Sequence, residues 1–272
     1  MSTRLVLFSD SSLNDKTIKF FEKNLAAIVA ASIRPMSHKL LKEISDQQQV
    51  PFFIQPRPEE ESYSNFINEL KNLNPDLFFI NSYSMILKKD LLKVPKSGTL
   101  NIHSSLLPKN RGANPLQWGI INQDDFAGVT LHEVDEGIDS GPILDQRKTK
   151  ILMEDTWVSL SYRIKDLTYD LIEKNINQIL SKNWNSIPQE KNHVTYNKRR
   201  SSKDGEINWS MPIIEIYNKI RALISPLPGA FYFLNSKKIR IDYFTSLYEL
   251  IQMNYKFEKS KFTLNNEYSL IP

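Results

Sequence analysis

Through the first two-thirds of the chain, short runs rich in aliphatic and aromatic residues alternate with stretches of helical spacing. Few architectures accept that order. Each strand of a parallel sheet is reached by a crossover, so the pattern predicts an α/β fold: a doubly wound, mostly parallel, Rossmann-like sheet with helices on both faces. The spacing predicts strands over Leu5–Ser9, Ala27–Ile33, Pro51–Ile54, Leu77–Asn81, Thr99–His103, Val129–Val134 and Ile143–Thr149. Helical periodicity falls between them at Ile18–Leu25, Lys39–Ser45, Tyr63–Leu73 and Pro115–Ile121. Trp157, Leu160, Ile164, Leu167, Leu171 and Ile176 recur at helical steps and predict one long helix with an apolar stripe. The acidic triplet Glu59–Glu61 reads as a solvated helix start.

After about Leu180 the composition turns polar, and SKNWNSIPQEKNH reads as a linker. This predicts two parts: residues 1–190 as the main domain and 195–272 as a small C-terminal α+β module. In the module, Ser210 before Met211 and Pro212 predicts a capped helix start, with Ile213, Ile216, Tyr217, Ile220 and Ile224 on one face. Alternation through Phe231, Phe233, Ile239, Ile241 and Tyr243 predicts a hairpin turning at Asn235 and Ser236.

Several functional classes are excluded early. The chain has no Cys, and its four His lack metal-ligand spacing, which argues against a metal site. No apolar run reaches the length of a membrane span and the N-terminus lacks a signal-peptide layout, so the expectation is a cytoplasmic protein with no membrane insertion. The 35 basic and 31 acidic residues are dispersed, which suits small anionic ligands better than a nucleic-acid track. Dinucleotide-binding, Walker and GxSxG signatures are missing, which argues against hydride transfer, P-loop chemistry and serine hydrolysis.

Two clusters carry the chemistry. NIHSSLLPKNRGANPLQW, residues 101–118, follows a predicted strand, where open parallel sheets bind ligands. Asn101 and His103 are two apart, so an extended backbone turns both to one face: a neutral donor beside a titratable proton carrier. The second cluster, GVTLHEVDEGIDSGPI, residues 128–143, runs a strand carrying His132 into a turn with Asp135, Gly137, Asp139 and Gly141. Taken singly, each has a bland reading, as a strand-end pair satisfying loop backbone and as an acidic turn.

Taken together, the two clusters resemble the folate-dependent formyltransferase family, and the likeness runs from about residue 70 to 150. The resemblance implies 10-formyltetrahydrofolate as formyl donor and Asn101, His103 and Asp139 as the catalytic set. NSYSMILKKDLL, residues 81–92, is similar to the stretch lining the folate pocket in relatives, which implies Ser82, Tyr83, Met85, Ile86 and Leu87 as cofactor-binding residues. His132, Asp135 and Gly137 join that group, with His132 expected to be more structural than catalytic. The sequence departs from many relatives at Ser104, where Pro is common, and at Asn110, where Tyr is common. The tail junction is similar to that of the sugar N-formyltransferases and the methionyl-tRNA formyltransferases. A tail short for a tRNA-type barrel, no long basic track, and a first loop, FSDSSLND, without the glycines of the ribonucleotide relatives favour the sugar class. The expected acceptor is therefore a dTDP- or UDP-linked amino sugar for surface lipopolysaccharide synthesis, with a homodimer as candidate assembly. Methionyl-tRNA formylation is the alternative within the family, and a non-catalytic folate-binding module the alternative outside it.

Overall fold

The computed structural model describes residues 2–11 and 15–241, so Tyr243, the chain beyond it and part of the first loop lie outside the described residues. In chain order the elements are β1 (Leu5–Phe8), α1 (Asp15–Phe21), β2 (Leu25–Ala31), α2 (Pro35–Gln47), β3 (Phe52–Gln55), α3 (Ser62–Asn72), β4 (Leu77–Asn81), α4 (Lys89–Leu92), β5 (Thr99–His103), β6 (Arg111–Gly112), α5 (Pro115–Ile121), β7 (Phe126–Glu133), β8 (Ile143–Lys150), α6 (Trp157–Ser181), β9 (Tyr196–Asn197), α7 (Ile213–Leu223), β10 (Ala230–Leu234) and β11 (Lys237–Ile241). Seven strands form the main sheet in the order β3-β2-β1-β4-β5-β7-β8. β1 through β5 pair parallel, whereas β5 and β7 pair antiparallel. The α/β, mostly parallel architecture is the one expected.

Burial explains why the central strands read as unbroken apolar runs. β1, β2 and β4 are buried at every position, because helices cover both faces of a parallel sheet. On one face Phe8, Val29, Phe66, Leu70, Phe78 and Leu91 make a continuous core. On the other, Phe21 packs against Phe79 with ring centroids 4.8 Å apart. Burying such side chains contributes about 1.5–3 kcal/mol each. α1 ends at Phe21, short of the expected Leu25, because Asn24 turns the chain back and Leu25 already pairs with Leu5 as the first residue of β2.

Packing sorts the chain into two compact units that interleave in sequence. One holds residues up to 112, 128–149 and 164–196; the other holds 113–127, 150–163 and the residues from 197 onward. The division expected near 190–195 follows chain order, whereas the second unit recruits two earlier segments. Within it, Asp155 accepts from Arg163 at 2.5 and 2.8 Å, while Arg221 Nη1 donates to the carbonyls of Leu152 and Asp155 at 2.8 and 2.7 Å. Burial pushes the Asp155 carboxyl up, but Arg163 and the Leu152 N–H outweigh it and hold its pKa below the ordinary value. These bonds fasten residues 150–163 to α7, and α5 packs on α7. α7 starts after Pro212 with no side-chain cap: Ser210 does not cap it as expected, because its N–H is turned to Asn208 Oδ1. The β10–β11 hairpin turns at Asn235 and Ser236, both with positive φ, 47° and 65°, which matches the right-handed strand twist.

Candidate active site

The site forms where β5 meets its antiparallel neighbour. In that register Asn101 lies directly opposite His132 and His103 opposite Thr130. Cross-strand partners share a face, as do residues two apart, so Asn101, His103 and His132 converge. The two imidazoles stand edge to face with centroids 6.5 Å apart. Both are buried, and Asn101 is half-buried beside them.

Hydrogen bonding assigns the tautomers. His132 Nδ1 lies 2.7 Å from the Glu133 carbonyl, which only accepts, so Nδ1 carries the proton. Its Nε2 is then a bare acceptor for Asn101 Nδ2, at 3.1 Å. Burial lowers the His132 pKa to about 4; Asp139 opposes that effect and His103 adds to it, so the ring is neutral near pH 7. His103 is wired the other way round. Its Nε2 lies 2.9 Å from the Asn110 carbonyl and must donate, which leaves Nδ1 bare in the neutral ring. That nitrogen faces Asp139 Oδ2 at 3.6 Å, too long for a hydrogen bond but close enough for an ion pair once Nδ1 gains a proton.

Asp139 is delivered by a turn built for it. Asp135 Oδ1 accepts from Gly137 N at 3.0 Å and Ser140 Oγ at 2.7 Å, so Asp135 and Gly137 tie the turn together. Gly141 passes so near the strand that a Cβ there would lie 1.9 Å from the Glu133 carbonyl oxygen. Asp139 itself takes a left-handed conformation, φ 48°, which Asp tolerates better than most residues. Its Oδ2 accepts from Gly112 N at 2.8 Å, and Oδ1 lies 3.8 Å from His132 Nε2. One carboxylate therefore faces two imidazoles. Neighbouring bonds stiffen the loop after β5: Thr130 Oγ1 donates to Ser105 O and accepts from Leu107 N. Among the described residues, no group of three or more His, Asp or Glu is placed to hold a metal ion.

A donor amide, a buried imidazole with one bare nitrogen and a carboxylate positioned to receive its proton can together polarise a carbonyl and move a proton. Residues 11–176 match the Formyl transferase family, and residues 200–249 match the Formyl transferase, C-terminal domain. The chain belongs to the formyl transferase family. Among sequence relatives, it is 40% identical over 201 residues to the bifunctional polymyxin resistance protein ArnA of Wigglesworthia glossinidia brevipalpis, covering 74% of this chain and 30% of that protein. It is 38% identical to the methionyl-tRNA formyltransferase of Thermodesulfovibrio yellowstonii, over 68% of this chain and 59% of that one. The chain thus spans well under two-thirds of the length of these relatives. Among solved structures, the N-formyltransferase from Helicobacter canadensis in complex with folinic acid and dTDP-3-aminofucose superposes with a TM-score of 0.68. That likeness covers 87% of this chain and 86% of that one at 22% identity, and shows a shared fold.

In this formyl transferase family member, the segment expected to border the folate divides. Ser82 has positive φ, 58°, and turns the chain at the end of β4. Ile86 is exposed, whereas Leu87 is buried in the core and Tyr83 packs against the same cluster. Met85 accepts from Ser32 Oγ through sulfur. Tyr83 OH donates to Gln55 Oε1 at 2.8 Å, and Gln55 Nε2 is buried with no hydrogen-bond partner. Asn101, His103, His132 and Asp139 come together as one group; Asp135 and Gly137 shape the turn beside it. Sequence reasoning placed His132 outside the catalytic group, and it missed Asn110, Arg111 and Gln189 as contributors. The alternation around His132 was a usable signal, since it turns His132 and Thr130 to one face of a single strand.

Proposed function

We propose that this chain transfers a formyl group from 10-formyltetrahydrofolate to an amine, with Asn101, His103 and Asp139 as its catalytic residues. The observation that carries this is the bare Nδ1 of His103, aimed at Asp139 and set beside the Asn101 amide, in a member of this family. Asn101 Nδ2–H spends one proton on His132 and directs the other at the carbonyl oxygen, where it stabilises developing negative charge; such a donor is worth about 3 kcal/mol of barrier. His103 Nδ1 takes the proton that the attacking amine loses, and Asp139 stabilises the imidazolium so formed. Neutral His132 orients the amide. When bound, the folate supplies the activated formyl carbon. The 82–87 turn, with exposed Ile86 and the Tyr83–Gln55 pair whose amide N–H lacks an acceptor, fits a flat heteroaromatic ring bearing acceptors. We take residues 1–190 as the catalytic part and 195–272 as an accessory module.

For the acceptor we propose a dTDP- or UDP-linked amino sugar, on the path to a surface polysaccharide. Its support is a fold shared along most of both chains with a protein solved with dTDP-3-aminofucose. The second reading, methionyl-tRNA, is favoured by 38% identity to a methionyl-tRNA formyltransferase. Formyl transfer is measured from 10-formyltetrahydrofolate to a panel of dTDP- and UDP-linked 3- and 4-amino sugars, methionyl-tRNA and glycinamide ribonucleotide, at matched concentration and moderate salt. The expected result is fastest turnover on one amino sugar. Faster formylation of methionyl-tRNA than of every sugar would sink the sugar reading and leave the catalytic residues standing. No turnover on any amine, with folate still bound, would return the chain to a binding role.

A further inference from the structure

The polar stretch after α6 is a strap across the two loops of the site. Trp184 Nε1 and Ser186 Oγ donate to Glu133 Oε1 at 3.2 and 2.5 Å, and Ile187 exchanges backbone bonds with Ile143 at 2.8 Å each. Farther on, Thr195 accepts from Asn110 N through Oγ1 at 2.8 Å and from Arg111 N through its carbonyl at 2.9 Å. Gln189 sits between these anchors. Its Nε2 donates to the carbonyls of Asp139 and Gly141, both at 2.8 Å. Its Oε1 accepts from Arg111 Nε at 3.1 Å and Nη2 at 2.7 Å. Arg111 is buried, and its Nη1 donates to Tyr196 OH at 2.9 Å. Every hydrogen-bonding capacity of the Gln189 amide is spent.

We infer that Gln189 is a positioning residue for Asp139: it clamps the backbone of the catalytic carboxylate to Arg111 of the facing loop and so sets the Asp139–His103 separation. The inference rests on the formyl-transfer reading for its kinetic test. The geometry is specific, because Gln189 holds the carbonyl of Asp139 itself, a residue in a left-handed conformation whose side chain follows its backbone. Only an amide fits both ends. An acid would keep the Arg111 contact and set an oxygen against two carbonyl oxygens; an apolar side chain would lose both contacts.

Gln189→Glu separates this from a merely structural role, since the Arg111 contact that holds the strap survives it. The expected result is a fall in kcat of about tenfold to hundredfold, KM for folate and amine within about threefold, and little change in Tm. In an Asp139→Asn background the same substitution should cost less than about threefold, because a residue acting through Asp139 has nothing left to position. Imidazole NMR gives a reading independent of turnover: among the four His, His103 should shift in Gln189→Glu while His38 stays in place. Gln189→Met, of similar volume and without donors, replaces the acid if that variant fails to fold. Retention of kcat within threefold with unmoved His103 resonances overturns the inference. If the wild-type chain formylates no amine, the formyl-transfer reading fails and the His103 resonances alone decide the positioning role.

Discussion

Asp139→Asn tests the proposed chemistry most directly, because it removes the charge and keeps the shape. The Asn Oδ1 can still accept from Gly112 N, a 2.8 Å contact in the native protein, so the turn keeps its anchor. What changes is the partner of His103 Nδ1, 3.6 Å away. Two unit charges at that distance attract by about 4–5 kcal/mol at an effective dielectric of about 20. The side chains are 10% and 18% exposed, so screening trims this to about 4 kcal/mol. If His103 carries the amine proton in the transition state, that energy is lost there and spared in the ground state, where the imidazole is neutral. At about 1.4 kcal/mol per tenfold, kcat should fall by about a thousandfold. The assay is single-turnover release of tetrahydrofolate, which keeps product release out of the measured rate. Folate affinity should stay within about threefold and Tm within a few degrees. A loss below tenfold would refute the argument, because the imidazolium would not then be forming beside Asp139.

Two further outcomes follow from the same geometry. Burial holds His132 neutral with a pKa near 4, below the value of about 6.5 expected unfolded; between these the unfolded chain binds a proton that the fold refuses, so stability is full above the unfolded pKa and declines as pH falls. Denaturant melts should lose about 2 kcal/mol from this group between pH 7 and 5, a loss that His132→Gln abolishes; equal slopes in both proteins would contradict the assignment. Gly141→Ala places a Cβ 1.9 Å from the Glu133 carbonyl, so the turn must open, at a cost of about 1–3 kcal/mol in thermal melts and a fall in kcat as Asp139 moves; an unchanged Tm would show that the contact relaxes freely.

The parts of the fold that were legible are those whose pattern reports burial directly. A strand covered on both faces must be apolar throughout, so Leu5–Phe8 and Leu77–Asn81 announce themselves, and Asn235–Ser236 supplies the turn residues its hairpin needs. What stayed hidden depends on partners distant in sequence. The Asn101–His132 contact exists because β7 runs antiparallel to β5 at one register, which no local pattern encodes. Residues 184–196 read as a linker because they are polar, yet Trp184, Ser186, Gln189 and Thr195 spend that polarity on loops 48 to 85 residues away. Composition distinguishes a solvated segment from an apolar one; it does not distinguish a solvated segment from a strap whose polar groups are satisfied within the protein. Residues 150–163 escaped for the same reason, since their attachment to α7 runs through the backbone acceptors of Arg221.

Two imidazoles share one carboxylate in this site, and the wiring decides which of them can become charged. A second proton on His132 would have to enter at Nε2, where the Asn101 amide already donates; the amide would then flip and turn its oxygen toward the ring. Asn101 would lose the orientation that points an N–H at the reacting carbonyl, and a buried cation would form 1% exposed to solvent. His103 has no such conflict, because its donor position is already filled by the Asn110 carbonyl and the incoming proton lands on the nitrogen facing Asp139. The pair therefore divides its labour by hydrogen-bond direction. His132 stays neutral and fixes the amide, and in doing so it reserves the Asp139 charge for His103. A site with one imidazole would have the proton carrier but would leave Asn101 free to present either end to the substrate.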